Sequence, residues 1–180
     1  MPSSDEGTHL TYANANTRSQ GDVSRSICGS VRASAVNVDD LIFSIGSSDT
    51  TWNARKGCNR HFALSILNGT HVNVFGMCEI YDNDRIPVTQ HTMYDKSFHQ
   101  ICVTYRTDDA KLCVYHNSDP PYCVIRSNAR YNTGLGDVRI GWWPDNNRGF
   151  VSSDGGLIKS VALFDRAISQ ECVRQQLETR

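Results

Sequence analysis

The stretches HQICVTYR, residues 99–106, and KLCVYH, residues 111–116, decide the fold of this 180-residue chain. In both, an apolar side chain recurs at every second residue, at Ile101, Val103, Tyr105, Leu112 and Val114. A period of two places these side chains on one face of a β-strand. The four residues between the stretches, Thr-Asp-Asp-Ala, are of the kind that turns a chain back on itself. The sequence therefore predicts an antiparallel hairpin with one buried face.

The rest of the chain repeats this pattern of short strands and turns. Residues 62–67 and 71–75 predict a second hairpin around Asn68-Gly69, with one of its sides buried. Further strands are predicted at Leu10–Ala13, Ser26–Arg32, Leu41–Ile45, Tyr122–Ile125, Val138–Ile140 and Leu157–Phe164. Residues 76–87, GMCEIYDNDRIP, read as a loop. Many short strands predict a sandwich or a barrel.

The C-terminus alone has a helical pattern. Ser169 is a suitable N-cap for QECVRQQLE, residues 170–178, in which Cys172, Val173 and Leu177 lie close to one stripe. We find no internal repeat and no interdomain linker, so residues 1–180 are predicted to form a single domain. Residues 1–8 and 14–24 are its polar, flexible candidates.

Composition excludes several kinds of partner. The formal net charge is -1, from 18 basic and 19 acidic side chains, so no broad positive surface for nucleic acid is expected. No apolar run approaches the ~20 residues that span a bilayer, so membrane insertion is not expected. The first thirty residues show no hydrophobic signal-peptide core, so no targeting signal is expected there.

Seven cysteines leave the redox compartment open. Cys102 and Cys113 fall on paired strands, Cys113 and Cys123 flank the next turn, and the others are Cys28, Cys58, Cys78 and Cys172. Several disulfides would favour secretion, whereas all seven residues could equally be reduced and buried. Asn68-Gly69-Thr70 fits a glycosylation acceptor, but it also fits a hairpin turn, which we favour.

Four segments in order resemble the laminin-G-like and concanavalin-A-like jelly rolls of the pentraxin-like superfamily. They are SFHQICVTYRTDDAKLCVYHN, YNTGLGDVRIGWWPDNNRGF, GGLIKSVALFDRAIS and QECVRQQLE, which together cover about half of the chain. The resemblance implies an all-β fold, an antiparallel two-sheet jelly-roll sandwich with a short C-terminal helix. One departure is Lys159-Ser160, where family members commonly carry acidic residues.

The resemblance also implies a calcium site at one edge of the sandwich. Calcium prefers hard oxygen ligands, and Asp145, Asn147 and Asp154 supply them close together in the sequence. These residue types are equally common in turns, where they bond to the backbone, and turn chemistry is the competing interpretation.

Beside these residues lies a candidate glycan site. Trp143, Asn146 and Arg148 combine an aromatic face with polar groups that can bind hydroxyls, and Trp52 is a weaker candidate. Alternation from Val138 predicts that Trp142 points into the core and Trp143 outward. The competing interpretation is that Trp143 only covers a neighbouring loop.

An enzyme is not expected. Glucanases of this fold use paired carboxylates, and no strand here carries alternating acidic residues. The sequence therefore favours a non-catalytic recognition domain for glycans or cell-surface protein partners, assisted by calcium and located outside the cell. The alternative is a structural protein–protein interaction subunit of a larger assembly, located inside the cell.

Overall fold

The computed structural model describes ten stretches of the chain: residues 10–12, 20–33, 39–46, 61–67, 69–75, 84–87, 93–125, 131–134, 136–141 and 156–178. Within them lie thirteen strands and one helix. These are β1 Leu10–Tyr12, β2 Gly21–Asp22, β3 Arg25–Arg32, β4 Asp39–Gly46, β5 His61–Leu67, β6 His71–Phe75, β7 Asp84–Pro87, β8 His99–Arg106, β9 Lys111–His116, β10 Tyr122–Ile125, β11 Asn132–Thr133, β12 Asp137–Ile140, β13 Leu157–Phe164 and α1 Gln170–Glu178.

The strands form two large antiparallel sheets. The six-stranded sheet has the order β1-β12-β4-β5-β6-β7, and the five-stranded sheet has the order β10-β9-β8-β3-β13. Strands β2 and β11 pair separately. The architecture confirms the predicted all-β, two-sheet jelly-roll sandwich with a short C-terminal helix. None of the described residues forms a helix of the length and apolar character needed to cross a bilayer.

The main core lies between the two sheets. Strand β8 contributes Ile101, Val103 and Tyr105, which are at most 1% exposed and belong to the same apolar cluster as Phe62 and Leu64 of β5. Full burial of one such side chain contributes about 1.5–3 kcal/mol to folding. The alternation in the deciding stretch thus fixes which face of the five-stranded sheet points inward.

The opposite, outer face of the five-stranded sheet carries two disulfides and the helix. Cys28–Cys102 and Cys113–Cys123 each join residues directly opposite one another on neighbouring strands. Three of their cysteines, Cys28, Cys102 and Cys113, share a second apolar cluster with Tyr115, Ile168 and Val173. The predicted helix is confirmed, and Ser169 caps it, because its Oγ accepts a 3.2 Å hydrogen bond from the Cys172 backbone N–H.

Two of the segments expected to be irregular contain strands. Asp84–Pro87 forms β7, in a segment predicted to be a loop, and Gly21–Asp22 forms β2, within the stretch predicted to be flexible. Acidic residues and proline are rare in strands, so the composition of β7 does not predict a strand. Among the described strands, β7 pairs with β6 alone and lies at the edge of its sheet, where proline is tolerated.

The β5–β6 hairpin differs from the prediction in its burial. Ser65 and Asn73 are cross-strand partners on the face predicted to be open, yet they are at most 1% exposed. Both faces of the hairpin are therefore buried. The candidate glycosylation site Asn68 lies outside the described residues.

Candidate functional site

The residues predicted from the sequence to form the sites lie outside the described part of the chain. This holds for all seven: Trp52, Trp143, Asn146 and Arg148 for a glycan, and Asp145, Asn147 and Asp154 for calcium. Six of the seven, between residues 143 and 154, come just before β13 in the sequence, and the structure describes where β13 begins. Leu157 pairs with Arg32, and Val31 pairs with His99. The start of β13 therefore lies at the same end of the five-stranded sheet as the start of β8.

At that end, a groove of about 450 Å³ runs between α1 and the outer face of the five-stranded sheet. We call it the helix groove, and it is lined by Gln100, Tyr115, Asn117, Ser118, Asp119, Gln170, Val173 and Arg174. Three elements build it: the start of β8, the end of β9 with its following turn, and the first half of α1. Because α1 is held on the sheet through the buried Val173, the walls are fixed relative to one another.

The groove combines an apolar floor with polar walls. Val173 is fully buried and Tyr115 is 8% exposed, whereas Ser118, Gln170 and Arg174 are exposed. Arg174 makes no ion pair with any residue that the structure describes. Small-molecule sites have this composition, with apolar surface and a few placed polar groups. The groove is therefore suited to a small polar ligand.

The turn after β9 is held rigidly against β8. Asn117 has a φ of 48°, and its backbone N–H donates to the Gln100 carbonyl over 2.8 Å. In return, the Gln100 backbone N–H donates to Asn117 Oδ1, also over 2.8 Å. The Asp119 backbone N–H donates to the His116 carbonyl over 3.0 Å. Two of the polar groove residues, Asn117 and Asp119, are thus preorganised.

Behind this turn lies a buried histidine pair. His99 and His116 are 5% and 4% exposed, their rings stack, and His99 Nδ1 lies 2.9 Å from His116 Nε2. His99 Nε2 contacts Asp95 Oδ1 at 2.8 Å, and His116 Nδ1 contacts Asp119 Oδ2 at 3.3 Å. We call these four residues the histidine chain, and it ends on a residue of the groove.

Two groups of the histidine chain, Asp95 and His116, have pKa values shifted by their surroundings. The Ser97 backbone N–H and the His99 side chain hold the pKa of Asp95 below its usual range, so this carboxylate stays ionised. Burial lowers the pKa of His116, and the neighbouring His99 lowers it further, although Asp119 opposes both effects. The pair therefore resists carrying two positive charges.

A small exposed patch continues from the groove. Phe98 is 42% exposed, lies two residues before Gln100 and is covered by the Arg32 guanidinium, 5.6 Å from the ring centroid. Leu157, the cross-strand partner of Arg32, is 41% exposed. This patch combines an aromatic face with a cation.

The buried cation Arg25 has a structural role. Arg25 donates to four groups, the side chain of Thr133 and the carbonyls of Gly21, Val23 and Tyr131. Its guanidinium also lies 5.3 Å from the centroid of the Phe62 ring. Since its donors are engaged within the protein, Arg25 joins β3 to the β2–β11 ribbon and is not a ligand-binding group.

The described residues contain no group of three or more His, Cys, Asp or Glu side chains placed to hold a metal ion. The predicted calcium site is not addressed by this finding, because its residues lie elsewhere in the chain.

Sequence reasoning missed the helix groove. The sequence pattern places Gln100 on the outward face of β8 and Arg174 on the polar face of α1. The signal that they lie together is absent from the sequence, because β8, β9 and α1 are brought together only by the fold.

The chain has the fold of several solved carbohydrate-binding and pentraxin structures. The sequence itself matches no known family profile, and no curated protein is significantly similar to it. One similar structure is the CBM40 domain of the Ruminococcus gnavus IT-sialidase bound to α2,3-sialyllactose, with a TM-score of 0.71, 13% identity, and 95% of this chain and 92% of that one covered. The fold is a concanavalin-A-like, pentraxin-type jelly roll.

Two further structures extend the comparison. The heptameric SAP-like pentraxin from Limulus polyphemus has a TM-score of 0.62 and 16% identity, with 94% of this chain and 75% of that one covered. The leech intramolecular trans-sialidase has a TM-score of 0.68 and 15% identity, with 95% of this chain but 26% of that longer one covered. At such identities the likeness establishes the fold alone.

Proposed function

We propose that this chain is a non-catalytic recognition domain that binds a glycan in the helix groove. The observation that carries the proposal is the groove itself, whose volume of about 450 Å³ suits a small ligand. Support comes from the shared fold, since the Ruminococcus gnavus CBM40 domain has been solved bound to α2,3- and to α2,6-sialyllactose.

The groove offers complementary chemistry for a sialylated glycan. The amides of Gln100 and Gln170 can donate to and accept from sugar hydroxyls, and Arg174 provides a forked cation for a carboxylate. Tyr115, which is 8% exposed, supplies apolar surface for the carbon face of a sugar ring. Sialyllactose is therefore the first probe to use.

The residues predicted from the sequence enter this proposal as a second contact region. We propose that Trp143, Asn146 and Arg148, with Trp52, extend the glycan site, and that Asp145, Asn147 and Asp154 hold calcium. Oxygen ligands of this kind fit calcium chemically. Loss of sialyllactose binding in EDTA, restored by added calcium, would support that part.

An extracellular location fits this function. The two disulfides among the described residues favour an oxidising compartment. We propose that the domain meets its glycan outside the cell or on a cell surface.

The rival function is a structural subunit that binds another protein. The exposed patch of Phe98, Leu157 and Arg32 favours it, since apolar surface beside a cation is common in protein interfaces. Native mass spectrometry that finds only a free monomer in a purified extract would count against this rival.

A glycan array followed by calorimetry tests the main proposal. We expect sialylated glycans to bind and Arg174→Ala to weaken sialyllactose binding by about tenfold or more, the effect of losing one charged hydrogen bond. Arg166→Ala, which alters an exposed arginine outside the groove, is the control and should bind like the unmodified protein. Absence of glycan binding with and without calcium would refute the proposal.

A further inference from the structure

The helix groove contains two charged residues of opposite sign. Among its eight lining residues, Asp119 is acidic and Arg174 is basic. Asp119 lies in the turn after β9 and Arg174 lies on α1, so the two charges belong to different walls of the groove. The structure describes both side chains, which are exposed and do not form an ion pair with each other. A ligand in the groove therefore meets a cation on one wall and an anion on the other.

Asp119 is held in place by a series of hydrogen bonds that begins on β8. The Gln100 backbone N–H donates to Asn117 Oδ1 over 2.8 Å, which directs the amide N–H of Asn117 toward His116 Nε2, 3.3 Å away. A neutral His116 then carries its proton on Nδ1, the nitrogen that lies 3.3 Å from Asp119 Oδ2. Asp119 thus keeps this donor whether His116 is neutral or protonated, and its orientation is fixed.

The other oxygen of the Asp119 carboxylate can bind a ligand. Among the described residues, no group donates to Oδ1, and the side chain is 48% exposed. A carboxylate accepts hydrogen bonds and cannot donate them, so it favours ligand groups with a hydroxyl or an amide N–H. A sulfate at the same place would meet a like charge and offer no hydrogen. Asp119 therefore favours one class of ligand group and disfavours another.

We propose that Asp119 makes the helix groove selective for a carboxylated sugar that also carries hydroxyl or amide donors beside its carboxylate. Arg174 binds the carboxylate, and Asp119 accepts hydrogen bonds from the neighbouring donors on the opposite wall. A glycan whose acidic group is a sulfate binds less tightly, because the sulfate provides no such donors. This inference rests on the proposed glycan-binding function and names the class of sugar that the same site takes.

Calorimetry with two acidic derivatives of lactose tests the proposal. The probes are α2,3-sialyllactose and lactose sulfated at the same galactose hydroxyl, and each carries one negative charge. Of the two acidic groups, the sialyl residue alone has amide and hydroxyl donors beside its charge. We expect sialyllactose to bind about tenfold more tightly, since an acceptor left without its donor costs binding energy of this order.

A matched pair of variants assigns the selectivity to Asp119. Asp119→Asn removes the charge from an exposed position and nearly keeps the shape of the side chain. We expect the ratio of the two Kd values to fall to about threefold or less, because the sulfate is no longer repelled and the sialyl donors lose their charged acceptor. Asp108→Asn makes the same change of net charge on the opposite turn and should keep the ratio of the unmodified protein.

The outcomes distinguish the inference from the function beneath it. If the unmodified protein binds both sugars equally, or if Asp119→Asn keeps the original ratio, the inference is overturned and the proposed function still stands. A ratio that falls equally in Asp108→Asn also overturns it, because the selectivity would then follow net charge. If neither sugar binds, the proposed function fails, and the inference fails with it.

Discussion

At the scale of single residues, Arg25 shows how much of this fold depends on one buried cation. Desolvation lowers its pKa to about 10, partly offset by Tyr105 and Asp22, so the group remains charged at neutral pH. The geometry suits only a planar guanidinium, because four acceptors surround it, on the β2–β11 ribbon and on the residues that flank its two strands.

Arg25→Lys is expected to lower the free energy of unfolding by about 3 kcal/mol, since lysine would leave buried acceptors without donors. Urea denaturation followed by fluorescence measures the change. Arg166→Lys, at an exposed position, should stay within about 0.5 kcal/mol of the original protein. Equal stability of the two variants would show that the Arg25 hydrogen bonds are not needed.

The histidine pair makes stability depend on pH. Because the pKa of His116 is lowered in the folded protein, the unfolded chain binds more protons as the pH falls through about 6.5, and folding loses free energy there. We expect denaturant titrations to show that the stability advantage of the unmodified protein over His116→Gln shrinks from pH 7.5 to pH 5. A constant difference over that range would contradict the argument.

At the scale of elements, α1 determines whether the groove exists. The helix has nine residues and is too short to be stable alone, so it depends on its cap and on Val173. Ser169→Ala should lower the free energy of unfolding by about 1 kcal/mol and weaken sialyllactose binding in parallel. Urea denaturation and calorimetry on the same variant check both effects. Undiminished binding in a destabilised variant would show that the site does not depend on the stability of the helix.

The two disulfides hold the outer face of the five-stranded sheet. We expect peptide mapping without reduction to recover Cys28 linked to Cys102 and Cys113 linked to Cys123, with Cys172 open to alkylation. Recovery of a Cys102–Cys113 peptide would contradict the strand register, in which Cys113 lies opposite Thr104.

The elements also show what a sequence can and cannot predict. Alternation identified β8 and β9 to the residue, because one face of each strand is apolar and buried. Strand β7 was not predicted, because it forms by pairing with the neighbouring strand β6 at the edge of the sheet. The disulfide between Cys28 and Cys102 likewise joins residues 74 apart, which only the pairing of β3 with β8 brings together.

At the scale of the whole molecule, the jelly roll serves as a rigid support for residues at one end of the five-stranded sheet. The sequence predicted the fold but directed attention to residues 142–154 as the site. The described structure adds the helix groove, which is assembled from residues 100–119 and 170–174. Neither Gln100 nor Arg174 carries a local signal for binding, because their shared surface exists only in the folded chain.

An NMR titration with sialyllactose shows whether a glycan binds in the helix groove. We expect changes in backbone amide shifts to cluster at Gln100, Asn117, Ser118 and Arg174, while the shifts at the far turn, around Asp108, stay unchanged. The absence of shifts at saturating sialyllactose, or shifts confined to residues outside the groove, would contradict this expectation.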